Sequence, residues 1–215
     1  MKHRKRLWAR TATAFAIVTA LASLLVACAP ASGSQASAQP AQTQKPSTKL
    51  VAGSTLAGRA APNFTLTDQN GNTVSLAALK GHPIFLTFMD ATCTQECPIT
   101  AQWIDWTANF LGPKGTAQVK WLVVSVNPSN TPADAHDFIT KNKVTAPLDF
   151  LMGTQAQLAP VWHDYGVAVV PTKTDVQHSV ANFLIDSQGR EVEYLDGGFD
   201  PKNAAHDLQL LLQGQ

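Results

Sequence analysis

The chain has 215 residues, of which 45% are hydrophobic and 14% charged, and its formal net charge is +1. This length suffices for one domain with a sizeable core. The near-neutral charge argues against a nucleic-acid-binding protein, as does the absence of basic runs with interleaved aromatics and of a glycine-rich phosphate loop.

The first 27 residues have the pattern of an export signal. A basic start is followed by an apolar stretch free of charges, Thr11–Ala27, which is shorter than the roughly 20 residues that a spanning helix needs. The stretch runs into Cys28 through small and apolar residues, which resembles the bacterial lipobox, where the cysteine is lipidated after cleavage. The alternative is an ordinary secretory signal in which Cys28 is incidental. We predict a lipoprotein signal peptide over 1–27 and an exported protein, anchored to the outer face of the cytoplasmic membrane by Cys28.

Residues 28–55 predict a flexible tether. Their composition is dominated by Ser, Gln, Ala, Pro, Thr and Gly, and a segment with so few large apolar residues buries too little surface to offset its ordering entropy. The folded domain is therefore predicted to cover residues 56–215.

Periodicity along 56–215 predicts an α/β domain. A β-hairpin comes first, and strands and helices then alternate until a second hairpin and a terminal helix. This order describes a thioredoxin-like fold, a central mixed β-sheet flanked by helices, with an extra N-terminal β-hairpin. The predicted elements are a hairpin from Phe64–Thr67 and Val74–Leu76, strands Ile84–Met89, Val119–Val126 and Leu148–Met152, a hairpin from Val180–Ile185 and Val192–Leu195, and helices starting at Pro98, Thr131, Thr154 and Asp200.

The helix that starts at Pro98 carries a prominent apolar pattern. Ile99, Trp103, Trp106 and Phe110 recur at helical spacing until Gly112-Pro113. We predict that this face is buried, and we interpret its tryptophans as core residues rather than a cofactor platform.

Two cysteines in the segment Cys93-Thr94-Gln95-Glu96-Cys97-Pro98 mark the candidate site. Two thiols at this spacing can form a disulfide, which an exported protein would often use structurally, or they can hold a metal. Proline favours the first helical position, so Cys97 is predicted at or just before a helix N-terminus, where the dipole stabilises a thiolate.

These motifs together are similar to the Sco/SenC family of the thioredoxin-like superfamily. The resemblance rests on CxxxCP at Cys93–Pro98, on Ser125–Pro128, and on His178-Ser179 before Leu184–Asp186. It implies a monomeric copper-binding protein that serves the copper-site subunit of cytochrome c oxidase. It also implies that Cys93, Cys97 and His178 are the copper ligands. Members usually have Asp where this chain has Asn127 and Asn130, so two carboxylates near the metal have become amides.

The donor chemistry agrees with that implication. Two thiolates and an imidazole suit Cu(I), Cu(II) or zinc far better than magnesium or calcium. Structural zinc sites usually have four protein ligands, whereas three leave a metal free to be passed on. His178 also lies in the loop where thioredoxin-like proteins normally carry a cis-proline, although a lone loop histidine often has no ligand role.

Three functions remain open at this point. The first is a membrane-anchored copper metallochaperone that gives copper to an apo-oxidase subunit. The second is an enzyme, an exported thiol-disulfide reductase that cycles Cys93 and Cys97 to keep oxidase or other exported thiols reduced. The third is a peroxidase. A peroxidase would require an arginine near its reactive cysteine, and the sequence has no arginine near Cys93 and Cys97.

Overall fold

The computed structural model describes residues 49–172 and 176–214. The predicted signal peptide, the lipidation site Cys28 and most of the predicted tether lie outside the described residues. None of the described helices is long and apolar enough to cross a membrane. The strands are β1 (Ser54–Thr55), β2 (Thr65–Thr67), β3 (Thr73–Ser75), β4 (Ile84–Met89), β5 (Lys120–Ser125), β6 (Leu148–Leu151), β7 (Val169–Pro171), β8 (Val176–His178), β9 (Asn182–Ile185) and β10 (Glu191–Leu195), and the helices are α1 (Glu96–Thr116), α2 (Pro132–Lys141), α3 (Gln155–Asp164) and α4 (Pro201–Leu212).

The central sheet is mixed and has six strands in the order β1-β10-β9-β4-β5-β6. Strands β4, β5 and β6 are parallel, whereas β9 pairs antiparallel with both β4 and β10. The hairpin β2–β3 and the pair β7–β8 form separate two-stranded sheets. This topology confirms the predicted thioredoxin-like sheet with an additional N-terminal hairpin.

The sheet separates two apolar clusters. Alternate residues of β4 serve opposite faces, with Phe85 and Met89 in one cluster and Leu86 and Phe88 in the other, as the two-residue period of a strand requires. The first cluster contains residues of α1, α2 and α4, and the second contains residues of α3 and of the hairpin β2–β3. Strand β4 is buried on both faces along its whole length, which explains why five of its six residues are apolar.

Helix starts agree with local sequence signals. Thr131 accepts from the Asp134 backbone N–H, and the Asp134 carboxylate accepts from the Thr131 backbone N–H, so the two residues form a capping box at α2. Asp200 likewise accepts from the Lys202 backbone N–H at the start of α4. These short-range contacts satisfy backbone groups that a helix leaves free at its first turn, which is why the sequence alone located both starts.

Helix α1 does not bury the face that its sequence pattern predicts. Ile99, Trp106 and Phe110 are exposed, with 51%, 49% and 55% of their surface accessible. The buried face is instead made of small residues around one large one, namely Cys97, Thr100, Ala101, Ile104, Thr107, Ala108 and Gly115. The expectation that Trp106 belongs to the core was therefore wrong, whereas Trp162 is buried and Trp103 packs edge-on against Phe199.

The folded part begins earlier than composition suggests. Strand β1 and the preceding Leu50 and Ala52 lie within the stretch assigned to the tether, yet β1 pairs with β10 and both side chains pack on the core. Two buried carboxylates hold this segment. Asp207 accepts from the Ala52 backbone N–H at 2.6 Å and Glu193 from that of Gly53 at 2.7 Å. Burial and the Asp207 carboxylate raise the pKa of Glu193 to about 8, so Glu193 is largely protonated at neutral pH.

Candidate metal site

The two cysteines flank the turn that joins β4 to α1. Strand β4 ends at Met89, and Cys93 follows in a turn closed by a hydrogen bond from its backbone N–H to the Asp90 carbonyl at 3.2 Å. Cys97 lies in the first turn of α1, which begins at Glu96. Both cysteines are free thiols, so the structure describes the reduced pair and not the disulfide.

The Cys93 sulfur occupies the N-terminus of α1. The N-cap residue, Gln95, makes no side-chain capping bond, and the Cys97 backbone N–H instead donates to the Cys93 sulfur at 3.4 Å. The pKa of Cys93 is lowered to about 5, first because the Cys97 thiol donates to it and then through backbone N–H groups that include those of Gln95 and Glu96. A half-buried sulfur at a helix N-terminus is therefore a thiolate at neutral pH.

Cys97 has the opposite state. Only 3% of its surface is accessible, and its pKa is raised because its proton is held toward Cys93 and because burial disfavours a second negative charge. The position of Cys97 at a helix N-terminus in the sequence predicts a thiolate there. The structure assigns it to Cys93, because the turn folds the earlier sulfur back over the free N–H groups.

His178 is the residue that tertiary structure brings to this pair. Its Nε2 lies 3.9 Å from the Cys97 sulfur, across 81 positions of sequence. The ring is oriented by Nδ1, which donates to the Ser179 carbonyl at 3.1 Å and leaves the lone pair of Nε2 directed at the thiols. His178 ends β8 and pairs with Val169 of β7, whereas the sequence predicts a loop at this position.

The spacing of Cys97 and His178 is compatible with one shared ion. Metal–sulfur bonds of about 2.3 Å and metal–imidazole bonds of about 2.0 Å hold a sulfur and a nitrogen about 3.5–3.9 Å apart, and the separation of Cys97 and His178 is 3.9 Å. Within residues 49–172 and 176–214, no three His, Cys, Asp or Glu side chains already form a ready metal cluster. Small side-chain adjustments would therefore have to accompany binding.

An open cavity gives access to the site. It has a volume of about 640 Å3 and lies between the cysteine turn, Thr92–Glu96, and the residues Val176–His178 of β8. Cys93 and His178 are both partly accessible and line this cavity. A ligand or partner that enters it would meet Cys93 and His178, while Cys97 lies behind them.

The other described histidines make contacts elsewhere. His82 and His136 hydrogen-bond to the backbone carbonyls of Gln118 and Gln69, and His163 and His206 contact neighbouring aspartates. Glu96, between the cysteines, is exposed, and its part in the site is the backbone N–H that faces Cys93.

One residue of the site was missed from sequence. Asp90 is almost fully buried directly beneath the cysteine turn, and its carboxylate accepts from both Asn127 and Asn130. Asp90 follows β4 and Asn127 nearly follows β5 in the sequence, and β4 and β5 are parallel neighbours. Because the carboxyl ends of neighbouring parallel strands meet at one edge of a sheet, this proximity could have been predicted.

The depressed pKa of Cys93 predicts its reactivity. Iodoacetamide reacts with a thiolate and not with a thiol. As the pH is lowered, the rate of Cys93 alkylation in the metal-free protein is therefore expected to fall with a midpoint near pH 5. A free cysteine would have its midpoint at roughly pH 8.5. C97A removes the donating thiol and should move this midpoint to higher pH. Mass spectrometry of the singly labelled chain measures the rate. A parent midpoint above pH 8 would contradict the assignment.

The chain is similar to known proteins in sequence and in fold. The SCO1/SenC family model matches residues 52–213. A solved structure of Bradyrhizobium japonicum ScoI with copper bound is 32% identical, has a TM-score of 0.62 and covers 70% of this chain and 98% of its own. The thiol-disulfide oxidoreductase ResA of Bacillus subtilis is 26% identical over 73% of this chain and 75% of its own length.

Peroxiredoxins also share part of the sequence. A Mycobacterium tuberculosis protein with a provisional peroxiredoxin name is 33% identical over 63% of this chain and 81% of its own length. The chain spans only 29% of the length of a rice chloroplast peroxiredoxin Q that it matches at 45% identity. Such partial matches are compatible with a common thioredoxin-like sheet. The SCO1/SenC model, in contrast, covers the cysteine turn together with His178.

Proposed function

Since the chain belongs to the SCO1/SenC family, we propose that it is a copper metallochaperone. It takes one copper ion as cargo with Cys93, Cys97 and His178 and passes it to the copper site of a cytochrome c oxidase subunit. The observation that carries this proposal is the 3.9 Å approach of His178 Nε2 to the Cys97 sulfur. A structural relative in the same family, BsSco, is described as a cytochrome c oxidase assembly protein.

The donor set suits copper in both oxidation states. Soft thiolate sulfurs favour Cu(I), and imidazole is also a good ligand for Cu(II). Two thiolates leave a formal charge of −1 with Cu(I) and of zero with Cu(II), and either charge is tolerable at a site open to solvent. Cys93 is already a thiolate at neutral pH, so only the Cys97 proton has to leave when copper binds.

The accessibility of the donors supports transfer rather than storage. Cys93 and His178 line the open cavity, whereas Cys97 is buried. Three protein ligands leave a coordination position for a donor atom of the recipient. An incoming ligand would replace the copper bonds of Cys93 and His178 first, and the bond to Cys97 would break last.

Membrane attachment is part of the same proposal. Residues 1–27 act as a lipoprotein signal peptide, and lipidated Cys28 holds the mature protein at the outer face of the cytoplasmic membrane. This part is supported by the sequence pattern of the first 28 residues. Mass spectrometry of the mature N-terminus tests it, since processing at any residue other than Cys28 would contradict it.

A second function is favoured by the state of Cys93. An accessible thiolate with a buried partner thiol four residues later is the arrangement of a dithiol reductase. The thiol-disulfide oxidoreductase ResA is also 26% identical to this chain over 75% of its own length. In this alternative the Cys93 thiolate attacks a disulfide of the target, and Cys97 then attacks Cys93 in the mixed disulfide. As the Cys93–Cys97 disulfide forms, the target sulfurs receive the two electrons of the pair and leave as two thiols, with one proton from Cys97 and one from water.

Metal titration decides between the two functions. The reduced protein is titrated with Cu(I) and with Cu(II), and we expect one equivalent to bind, with thiolate-to-copper charge-transfer absorption in the Cu(II) form. C93A/C97A is the control and should show no such absorption. Binding of no copper above this control, together with turnover of disulfide substrates, would overturn the chaperone proposal in favour of the reductase.

A further inference from the structure

A buried carboxylate lies at the base of the cysteine turn and connects this turn to the residues that follow β5. Only 2% of the Asp90 surface is accessible. Its Oδ1 accepts from the Thr92 backbone N–H at 2.9 Å, from the Thr92 hydroxyl at 2.8 Å and from Asn130 Nδ2 at 2.8 Å. Its Oδ2 accepts from Asn127 Nδ2 at 3.1 Å. The Asp90 carbonyl accepts from Cys93, so a shift of Asp90 would move the cysteine turn.

Asn130 uses both ends of its amide. The nitrogen donates to Asp90, while Oδ1 accepts from the Ala91 backbone N–H at 3.0 Å and from the Ser125 hydroxyl at 2.8 Å. An aspartate in this place would keep the accepting contacts and lose the donor. The amide thus joins the end of β5 to the start of the cysteine turn.

Asn127 has the same two-sided role. Its Nδ2 donates to Asp90, and its Oδ1 accepts from the Ser129 backbone N–H at 3.0 Å. The second contact fixes which end of the amide faces Asp90, because a flipped amide would direct its nitrogen at the Ser129 donor. Asn127 therefore reaches Asp90 as a donor.

We propose that Asp90 is a positioning residue for the two thiols and that it forms a matched pair with Asn127, in which one residue must be a carboxylate and the other an amide. This proposal rests on the proposed function insofar as copper is the ligand that the thiols receive. The physical reason is that a buried acceptor needs a donor, and a buried charge needs several. The amide at 127 is thereby required by the carboxylate at 90.

The pairing can be tested by exchanging the two residues. In N127D, two carboxylates face each other across the 3.1 Å now spanned by a hydrogen bond. In D90N, two amide nitrogens face each other. In D90N/N127D the hydrogen bond runs in the reverse direction, since the amide nitrogen introduced at position 90 would donate to the carboxylate introduced at position 127. The amide oxygen at position 90 would keep the three donors that Asp90 Oδ1 has now. The double variant therefore keeps a hydrogen bond between positions 90 and 127 and all three donors to the side-chain oxygen at position 90. It also has the same net charge as the parent.

Copper affinity and the reduction potential of the Cys93–Cys97 disulfide are both measured. We expect N127D and D90N each to weaken copper binding about 10–100-fold, as residues that orient ligands typically do, and to shift the metal-free reduction potential. D90N/N127D should return both quantities close to the parent values. D164N is the matched control, because its carboxylate contacts His163 and not the cysteine turn, and it should change neither.

Two results would overturn the proposal. One is parent-like affinity and potential in both single variants, and the other is a double variant no better than the worse single one. Thermal melting of each variant separates loss of folding from loss of positioning. N127A, which removes the donor without adding a charge, is the milder variant if N127D unfolds and should also weaken binding. If the parent binds no copper, the proposed function fails, whereas the potential of the metal-free disulfide still decides on positioning.

Discussion

Replacing His178 with alanine is expected to weaken copper binding about 100-fold or more. The expectation follows because His178 would be one of only three protein ligands, and even residues that merely orient ligands cost about 10–100-fold. The charge-transfer absorption of the copper-loaded protein should change at the same time, since its coordination changes. Competition with a chelator of known affinity measures the effect.

The same variant should leave the dithiol chemistry nearly unchanged. The low pKa of Cys93 arises from the Cys97 thiol and the backbone N–H groups at the start of α1, none of which involves His178. Alkylation of Cys93 and closure of the disulfide are therefore expected at rates close to those of the parent. H163A is the matched control, because His163 is exposed and contacts only the neighbouring Asp164. If H178A binds copper as tightly as the parent, the three-ligand site is wrong.

The second large effect concerns stability and lies on α1. I104A is expected to lower the free energy of unfolding by about 2–5 kcal/mol, the usual cost of truncating a fully buried aliphatic side chain. Ile104 has none of its surface accessible and packs between the sheet and the helices of the first apolar cluster. Chemical denaturation of the metal-free, reduced protein measures this change.

Trp106 provides the comparison on the same helix. Although it is much larger than Ile104, about half of its surface is accessible, and W106A is expected to cost about 1 kcal/mol or less, as surface substitutions do. A larger loss of stability in W106A than in I104A would show that the face predicted by periodicity is the buried one after all. The order of the two effects, rather than either value, tests the orientation of α1.

The orientation of α1 shows where a sequence pattern fails. Periodicity detects the largest apolar residues, and three of the four in the α1 pattern, Ile99, Trp106 and Phe110, are exposed, whereas Trp103 packs against the core. The buried face consists largely of alanine, threonine and cysteine, whose apolar signal is weak. Because α1 contributes to the same apolar cluster as the sheet and α4, small side chains face inward, and only the assembled structure shows how much room the helix has.

The strands were predicted more accurately, for a physical reason. Strand β4 has the predicted bounds, and β5, β6, β9 and β10 lie within or close to their predicted segments. A central strand is apolar on both faces and is bounded by turn residues, so its sequence carries the information locally. The pair β7–β8 was not predicted, since three-residue edge strands have little pattern of their own.

The sequence by itself determined that two thiols flank the turn from a strand to a helix, because the apolar strand and the proline at the helix start are local signals. It also identified the fold and the family, through motifs that lie along the whole domain. Only the folded turn decided which sulfur carries the charge, because the Cys93 sulfur lies over the free N–H groups of α1 while Cys97 is buried. The parallel pairing of β4 and β5 made the proximity of Asp90 and Asn127 predictable, whereas only the structure showed that Asp90 accepts hydrogen bonds from both Asn127 and Asn130. His178 was a prediction from resemblance. It lies near Cys97 because the chain crosses the sheet several times before β9 pairs beside β4, and no local interaction specifies the distance between residues that far apart in sequence.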